Sequence, residues 1–449
     1  MGNPYLKTPH IDKLYSQSTR FSDFQVSPTC APTRSALMSS RPPFEVGVSH
    51  TVLQRERLSL DVVTFPQALQ SAGYQTGLFG KWHLGDEPAY LPQNRGFNEV
   101  LMHGAGGIGQ FIYGDFEPNS ENVYFDNVLL HNDTIVQTKG FCTDVFFGAA
   151  LGWMKKQIDA KQAYFAYISL NAPHGPMLAP EKSKKRFLEA GFDEKSAARY
   201  GMIENIDDNL GQLMQKLESW NALDNTLVIF MTDNGMSMRA GTINGKKFIP
   251  HNAGLKGGKN SSDEGGTHVP SFWYWKDVIK EGSDIDKLTA HLDIYPTFCD
   301  LAGIEIPESK LPPKGRSLVP LLENPSANWP DRELFIHIGR WDDGRWNKRT
   351  REQQKFTKSA VRNQKWRFVN NTSLYNISED PSQKNDVASA HPEVVAELRK
   401  SYDQWWDTLE PLLINEGLPW VEAEDQPFNI RYKKQLKEKG IPDWAPFAH

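Results

Sequence analysis

The segment Thr226-Leu227-Val228-Ile229-Phe230-Met231-Thr232-Asp233-Asn234-Gly235 decides how this chain folds. A short, uniformly apolar run of this kind reads as a strand covered on both faces. It stops at polar residues and a glycine, which is turn chemistry. Upstream, Tyr200, Ile203, Ile206, Leu210, Leu213 and Leu217 step by three and four, the apolar face of a long helix. The arrangement repeats toward the N-terminus. Phe141, Val145, Ala149, Met154 and Ile158 mark a helical face, and Ala163 to Leu170 follows as a buried strand. A helix opens at Thr64 and stops at Gly73, and Tyr74 to Phe79 is the next strand. Thr8 and Pro9 start the first helix, as N-cap and first helical residue. Apolar strands alternating with amphipathic helices predict an α/β fold, with a mostly parallel central sheet covered by helices on both faces.

Beyond about Pro330 the texture changes. Short strands are expected at Glu333 to Ile338, Ser359 to Arg362, Trp366 to Val369 and Leu374 to Tyr375. A helix follows from Pro392 through Val395, Leu398, Tyr402 and Trp405. The reading is a first domain over 1–330 and a smaller C-terminal α+β subdomain over 331–449 with a short antiparallel sheet. The boundary falls in the proline-rich stretch Ile306 to Pro330.

Composition removes several functions. The 449 residues carry 50 Lys plus Arg against 55 Asp plus Glu, a net charge of −5. That balance excludes a general polyanion binder, and no nucleic-acid partner is expected. No apolar run approaches the roughly 20 residues of a membrane span. The three cysteines cannot form a disulfide scaffold.

Sites in open α/β sheets form outside the carboxyl ends of strands. Asp233 and Asn234 stand there as hard oxygen ligands, or as a plain turn. His174 sits between Pro173 and Pro176, as a structural hydrogen bonder or an acid. Lys81 and His83 fall on one side of an extended segment. Leu255-Lys256-Gly257-Gly258-Lys259, then Asp263-Glu264-Gly265-Gly266, reads as an anion-approaching loop or a flexible one. In Ser27-Pro28-Thr29-Cys30-Ala31-Pro32-Thr33-Arg34-Ser35, Cys30 falls at a helix N-terminus with Arg34 one turn on. The alternative is a buried structural cysteine.

Together these blocks resemble the type I sulfatases of the alkaline-phosphatase-like superfamily. Cys30-x-Pro32-x-Arg34 resembles their first signature, and Gly73-Tyr74-Gln75-Thr76-Gly77-Leu78-Phe79-Gly80-Lys81-Trp82-His83 their second. The His174, Asp233-Asn234 and Lys259 blocks follow in family order. Leu374-Tyr375-Asn376 with Glu379-Asp380-Pro381 resembles the C-terminal turn. The resemblance implies sulfate ester hydrolysis, with Cys30 oxidised to formylglycine by dedicated machinery. It implies Ca²⁺ held by Asp233, Asn234 and the modified Cys30. Arg34 would orient residue 30, and Lys81 and Lys259 would bind sulfate oxygens. His174, with Lys259, would serve the leaving oxygen as acid, and His83 would take the proton that permits sulfate release. Relatives are commonly periplasmic or secreted, although no signal peptide precedes Met1.

A sulfated carbohydrate is the expected substrate. His103 in the loop after the second signature, His251, and Arg340 with Trp341 are the expected contacts. Aromatics beside arginine suit a sulfated sugar. His10, His50 and His391 read as surface residues, and Cys142 and Cys299 as reduced and buried. Ser40 replaces a usual glycine and His268 a usual arginine. The family's first strand, ending in an Asp-Asp pair that supplies two metal ligands, has no counterpart, so Met1 reads as an internal methionine of a longer protein. Two alternatives stand beside the main reading. One is a phosphodiester or phosphonate monoester hydrolase of the same superfamily. The other is a non-catalytic sulfoglycan-binding protein.

Overall fold

The structure is a computed structural model that describes residues 2–116 and 123–446. A five-stranded sheet runs in the order Thr134–Gln137, Val128–His131, Glu99–His103, Gln75–Lys81, Tyr164–Ser169. Gln75–Lys81 pairs in parallel with both neighbours. Val128–His131 and Thr134–Gln137 form a hairpin added antiparallel to the edge. A four-stranded sheet runs Asp284–Ile285, Thr19–Phe21, Ser271–Tyr274, Val228–Met231. Ser271–Tyr274 is antiparallel to both of its neighbours. The sheets are therefore mixed, not mostly parallel. The hairpin of Val128–His131 and Thr134–Gln137 needs a two-residue turn and no crossover helix, while Ser271–Tyr274 takes its direction from strands distant in the chain.

Helices cover both faces, as expected. Within Gln75–Lys81, Phe79 faces a core built with Trp153, Phe146 and Leu210 from the helices Cys142–Asp159 and Glu194–Ser219. Its neighbour Leu78 faces the opposite core, with Phe65 and Leu69 of Phe65–Ser71 and Tyr295 of Ile294–Ala302. This is the period-two alternation of a strand buried on both sides. Cys142 and Cys299 lie unpaired in these two cores.

Two strands depart from the expectation of full burial. Tyr164–Ser169 and Val228–Met231 each end their sheet, and most of their residues are half-buried. Among the described residues their outer edges carry no partner strand. A cavity of about 2270 Å³ runs between them and opens over their carboxyl ends.

The C-terminal segment builds an antiparallel sheet, Leu334–His337, Ser359–Arg362, Trp366–Val369 and Ser373–Asn376 in sequence order. The helix Pro392–Asp407 packs Tyr402, Trp405 and Trp406 on it, together with Phe44 from near the N-terminus. Buried Glu264 ties this sheet to the rest: it pairs with Arg362 at 3.0 Å and with Arg367, while Arg362 reaches Asp23 at 2.6 Å. His268 joins this cluster at 3.0 Å from Glu264, so the residue that departs from the family pattern serves an ion-pair network. The last helix, Pro427–Lys439, returns to the first sheet, where Gln435 exchanges bonds of 2.8 and 2.7 Å with the Ile135 backbone. No described helix is long and apolar enough to cross a membrane.

Candidate active site

Cys30 is the first residue of the helix Cys30–Ser39, which is buried along its whole length. The chain enters it through Thr33, whose hydroxyl accepts from Ser27 N at 3.0 Å and donates to Ser27 O at 3.1 Å. The helix ends at Ser40 with a left-handed φ of 57°, a conformation that normally favours glycine. Ser40 holds it with two side-chain bonds, donating to Leu292 O at 2.5 Å and accepting from Gly315 N at 2.8 Å.

One turn after Cys30, Arg34 fans its guanidinium across the site. Nη1 donates to Lys81 O at 2.7 Å and Nη2 to Asp233 Oδ2 at 2.9 Å. Lys81 closes the strand Gln75–Lys81 and is 3% exposed. Gly80 is required before it: at φ 124° a Cβ would lie 2.2 Å from Ser169 O. Asp233 and Asn234 follow Val228–Met231. The Lys259 loop is stitched to that turn by Lys259 N donating to Met236 O at 2.9 Å, and to the Cys30 loop by Asn260 N donating to Pro28 O at 3.0 Å. Cys30, Arg34, Lys81, His83, His174, Asp233, Asn234 and Lys259 all line the cavity described above.

The charges set the protonation states. Burial alone would raise the Cys30 thiol, but Lys81, His83 and Lys259 bring it well below its ordinary value. The other cysteines show the reverse. Burial pushes the Cys299 thiol up to about 11 and raises Cys142 as well. Against its own burial, Asp233 is held well below the carboxylate range by Arg34, Lys81 and Lys259. His174 is lowered to about 4 by burial and by Lys81 and Lys259. Its Nδ1 lies 2.8 Å from Gly175 O and so carries the proton, leaving Nε2 as the acceptor.

His83 behaves differently. Burial disfavours its charge, but Cys30 and Glu56 raise its pKa. Its Nε2 lies 3.1 Å from Glu56 Oε2 and 3.2 Å from Thr51 O, both acceptors, so Nε2 carries a proton. Glu56 is wholly buried, and sequence reasoning missed it. Its signal was present as an acid held between Arg55 and Arg57, yet nothing local points it at His83. Gly106 leaves room for the ring, since a Cβ there would lie 2.5 Å from His83 Cε1.

The expected substrate contacts divide. His251 and Arg340 line the cavity. His103 does not: it is fully buried, with Nδ1 donating to Gly104 O at 2.6 Å, and burial holds it neutral. Trp341 is a core residue, packed on Phe44 at 5.1 Å and donating to Glu416 Oε2 at 2.7 Å. The loop beyond the Leu334–His337 strand turns it inward and sends its neighbour Arg340 to the cavity. His50 is also not the surface residue expected, because it is buried against this same cavity.

The residues offer calcium only part of a shell. Asn234 Oδ1 is buried with no hydrogen-bond partner, as a ligand oxygen would be. With the Asp233 carboxylate this gives a pair of hard ligands, against roughly six to eight oxygens for Ca²⁺. Arg34 already occupies Asp233 Oδ2. Among the described residues, the other cluster with metal-ligand spacing is Asp23, Glu264 and His268. There Arg362 and Arg367 already pair with the carboxylates.

Comparison with known proteins places the chain's relatives in one family. The Sulfatase family model matches residues 1–304, and a model described as N-sulphoglucosamine sulphohydrolase, C-terminal, matches 259–407. The chain is 28% identical to the uncharacterized sulfatase YdeN of Escherichia coli, over 96% of this chain and 80% of that one. It is 27% identical to human N-acetylgalactosamine-6-sulfatase, over 75% of this chain and 65% of the relative's length. Among solved structures, Ps i-CgsB superposes with a TM-score of 0.79 at 26% identity, over 98% of this chain and 94% of that one. A second structure of that protein holds k-i-k-neocarrahexaose, with a TM-score of 0.78 at 26% identity.

Proposed function

The chain belongs to the sulfatase family, the sulfuric ester hydrolases, and we propose that it cleaves sulfate esters of sulfated carbohydrates through a formylglycine made from Cys30. The observation that carries this reading is the contrast among the three cysteines. Cys142 and Cys299 sit in apolar cores with raised thiol pKa values, whereas Cys30 sits among Lys81, His83, Lys259 and Arg34 with a lowered one. Such a shell of donors around a buried thiol suits a polar, oxygen-bearing side chain better than it suits packing. A hydrated aldehyde supplies a geminal diol, with one oxygen to attack sulfur and a second hydroxyl for release.

The chain's own residues do the rest. Lys81 and Lys259 neutralise the sulfate oxygens, and Arg34 orients residue 30 while holding Asp233 in place. His174 is neutral in the free protein because burial disfavours its charge and Lys81 and Lys259 repel it. An anionic ester offsets that repulsion, so the acid can be loaded at Nε2 when substrate is bound. His83, fixed through Nε2–H by Glu56 and Thr51 O, keeps Nδ1 to take a proton during release. Glu56 is then the counter-charge to the imidazolium, a role parallel to the buried acid of a hydrolytic triad.

Calcium would be held by Asp233 and Asn234 with residue 30. The cationic lining of Arg34, Lys81 and Lys259, which would hold a sulfate with no chemistry, supports a second reading, a protein that binds sulfated saccharides without turning them over. Co-expression with a formylglycine-generating enzyme, followed by assay of sulfate and phosphate release in parallel, separates the readings. Sulfate release that requires Cys30 supports the first. Saccharide binding with no release from fully modified protein supports the second, and phosphate release alone returns the phosphoesterase.

A further inference from the structure

A cationic group that makes no close ion pair among the described residues lies beside the site described above. Arg340 follows the strand Leu334–His337 at φ 68°. Its backbone is pressed against Ser49, where a Cβ on the preceding Gly339 would lie 1.8 Å from Ser49 O. The side chain lines the same cavity as Cys30 and Lys81. Its Nε is buried without a hydrogen-bond partner, and the carboxylate whose charge reaches it, Asp343, is held by the backbone of its own loop. Arg340 as a whole is half-buried, and a buried N–H left without a partner is costly.

His50 stands beside it. Its Nδ1 accepts from Thr51 N at 2.7 Å, so Nε2 is the protonated nitrogen. Nε2 is buried and makes no hydrogen bond. The nearest carboxylate oxygen, Asp343 Oδ2, lies 3.7 Å away and already accepts from Asn347 Nδ2. Burial and the charge of Arg340 hold His50 near about 3, so it is a neutral donor.

Asp343 has a second use. Its Oδ1 accepts from the backbone N–H groups of Arg345, Trp346 and Asn347 at 2.9, 2.8 and 3.1 Å. This fixes the loop so that Trp346 stands 45% exposed at the cavity rim, 5.4 Å from the Tyr113 ring and edge-on to Trp420 at 4.4 Å.

We propose that Arg340 and His50, with the Trp346–Tyr113 shelf, form a second anion subsite, so that the preferred substrate is a saccharide with a second sulfate or carboxylate near the ester to be cleaved. Arg340 and the His50 Nε2–H supply the donors such an anion needs, and the aromatic shelf supplies a face for the sugar ring. Lys81, Lys259 and Arg34 are already committed to residue 30, Asp233 and the first sulfate, so the second charge has a place of its own. This inference deepens the sulfatase reading and rests on it for the identity of the first anion.

The test uses saccharides of equal length carrying one sulfate, two sulfates, or one sulfate and one uronate carboxylate. Sulfate release is measured on the formylglycine-loaded protein, and binding by calorimetry on Cys30→Ala, which cannot turn over. The native site is expected to favour a doubly anionic saccharide by roughly 10–100-fold. Arg340→Gln should collapse that preference, and Arg340→Lys should restore part of it. A preference confined to the disulfated or to the uronate series identifies the second anion. Trp346→Ala, on the exposed shelf, should weaken binding of every saccharide in the series without changing their order. Preference that survives Arg340→Gln, or no preference in the native protein, overturns the subsite. If nothing is released but the binding preference exists and depends on Arg340, the sulfatase reading fails and the subsite stands.

Discussion

Glu56→Gln is the sharpest perturbation available, because it keeps volume and removes only the charge facing His83. Both side chains are about 1% exposed and 3.1 Å apart, so solvent screens the pair very little. The contact is one of charge, since neither Glu56 oxygen makes a hydrogen bond, and removing one partner of a buried charge pair costs roughly 3–5 kcal/mol at most. Part of that energy distinguishes charged from neutral His83, so its loss moves the titration that His83 governs. The sign follows from the role. Glu56 raises the His83 pKa, so its removal lets the imidazole lose its proton at lower pH. The ascending limb of kcat against pH should therefore move down, and kcat should fall on the plateau because the imidazolium lacks its counter-charge. Stability follows the same linkage. A raised His83 favours the folded state below the ordinary imidazole value, and this contribution disappears as pH rises through the folded-state value. The low-pH advantage should shrink in the variant. A limb that stays in place while the variant folds normally would refute the assignment of His83 to proton transfer and of Glu56 to its support.

Other expectations come from neighbouring residues. In the unmodified chain, Cys30 should alkylate at pH values well below those that ionise an ordinary thiol, and Lys81→Met should shift that profile upward. Peptide mass mapping should find Cys142 and Cys299 unreacted until the protein unfolds. Gly106→Ala puts a Cβ 2.5 Å from His83 Cε1. Overpacking of this kind costs ~1–3 kcal/mol, and turnover should fall more than melting temperature does. Trp341→Ala should lower stability by ~3–5 kcal/mol, as for other buried aromatics, with saccharide selectivity unchanged in those molecules that remain folded. Calcium titration should give a dissociation constant no tighter than about 10⁻⁴–10⁻³ M, and Asp233→Ala should abolish the signal.

Much of this was legible in the sequence because it is local. The helix periodicity in Tyr200 to Leu217, the helix start at Pro9 and the strands from Ser359 to Asn376 are set by residues a few positions apart. The site residues were legible for a related reason. Cys30 with Arg34, Lys81 with His83, and Asp233 with Asn234 each lie at the carboxyl end of a strand or the start of a helix, so their direction follows from the element that carries them. What failed depends on distant partners. Nothing within Ser271–Tyr274 states that it will lie antiparallel between Thr19–Phe21 and Val228–Met231. Nothing in Tyr164–Ser169 states that one edge will face a cavity. Trp341 and Arg340 are adjacent in sequence, and only the turn at Gly339 determines which enters the core and which the cavity. His50 and Glu56 were missed because the cavity and His83 that they face are built by other segments.

The account turns on residue 30, and one measurement reaches it directly. Protein produced with and without formylglycine-generating machinery can be digested, and the mass of the Cys30 peptide compared with sulfate released from a sulfated oligosaccharide by the same preparation. The account predicts that release rises in proportion to the aldehyde fraction and vanishes in Cys30→Ala. Release by protein whose residue 30 is entirely thiol would contradict it, as would fully converted protein that binds the saccharide and frees no sulfate.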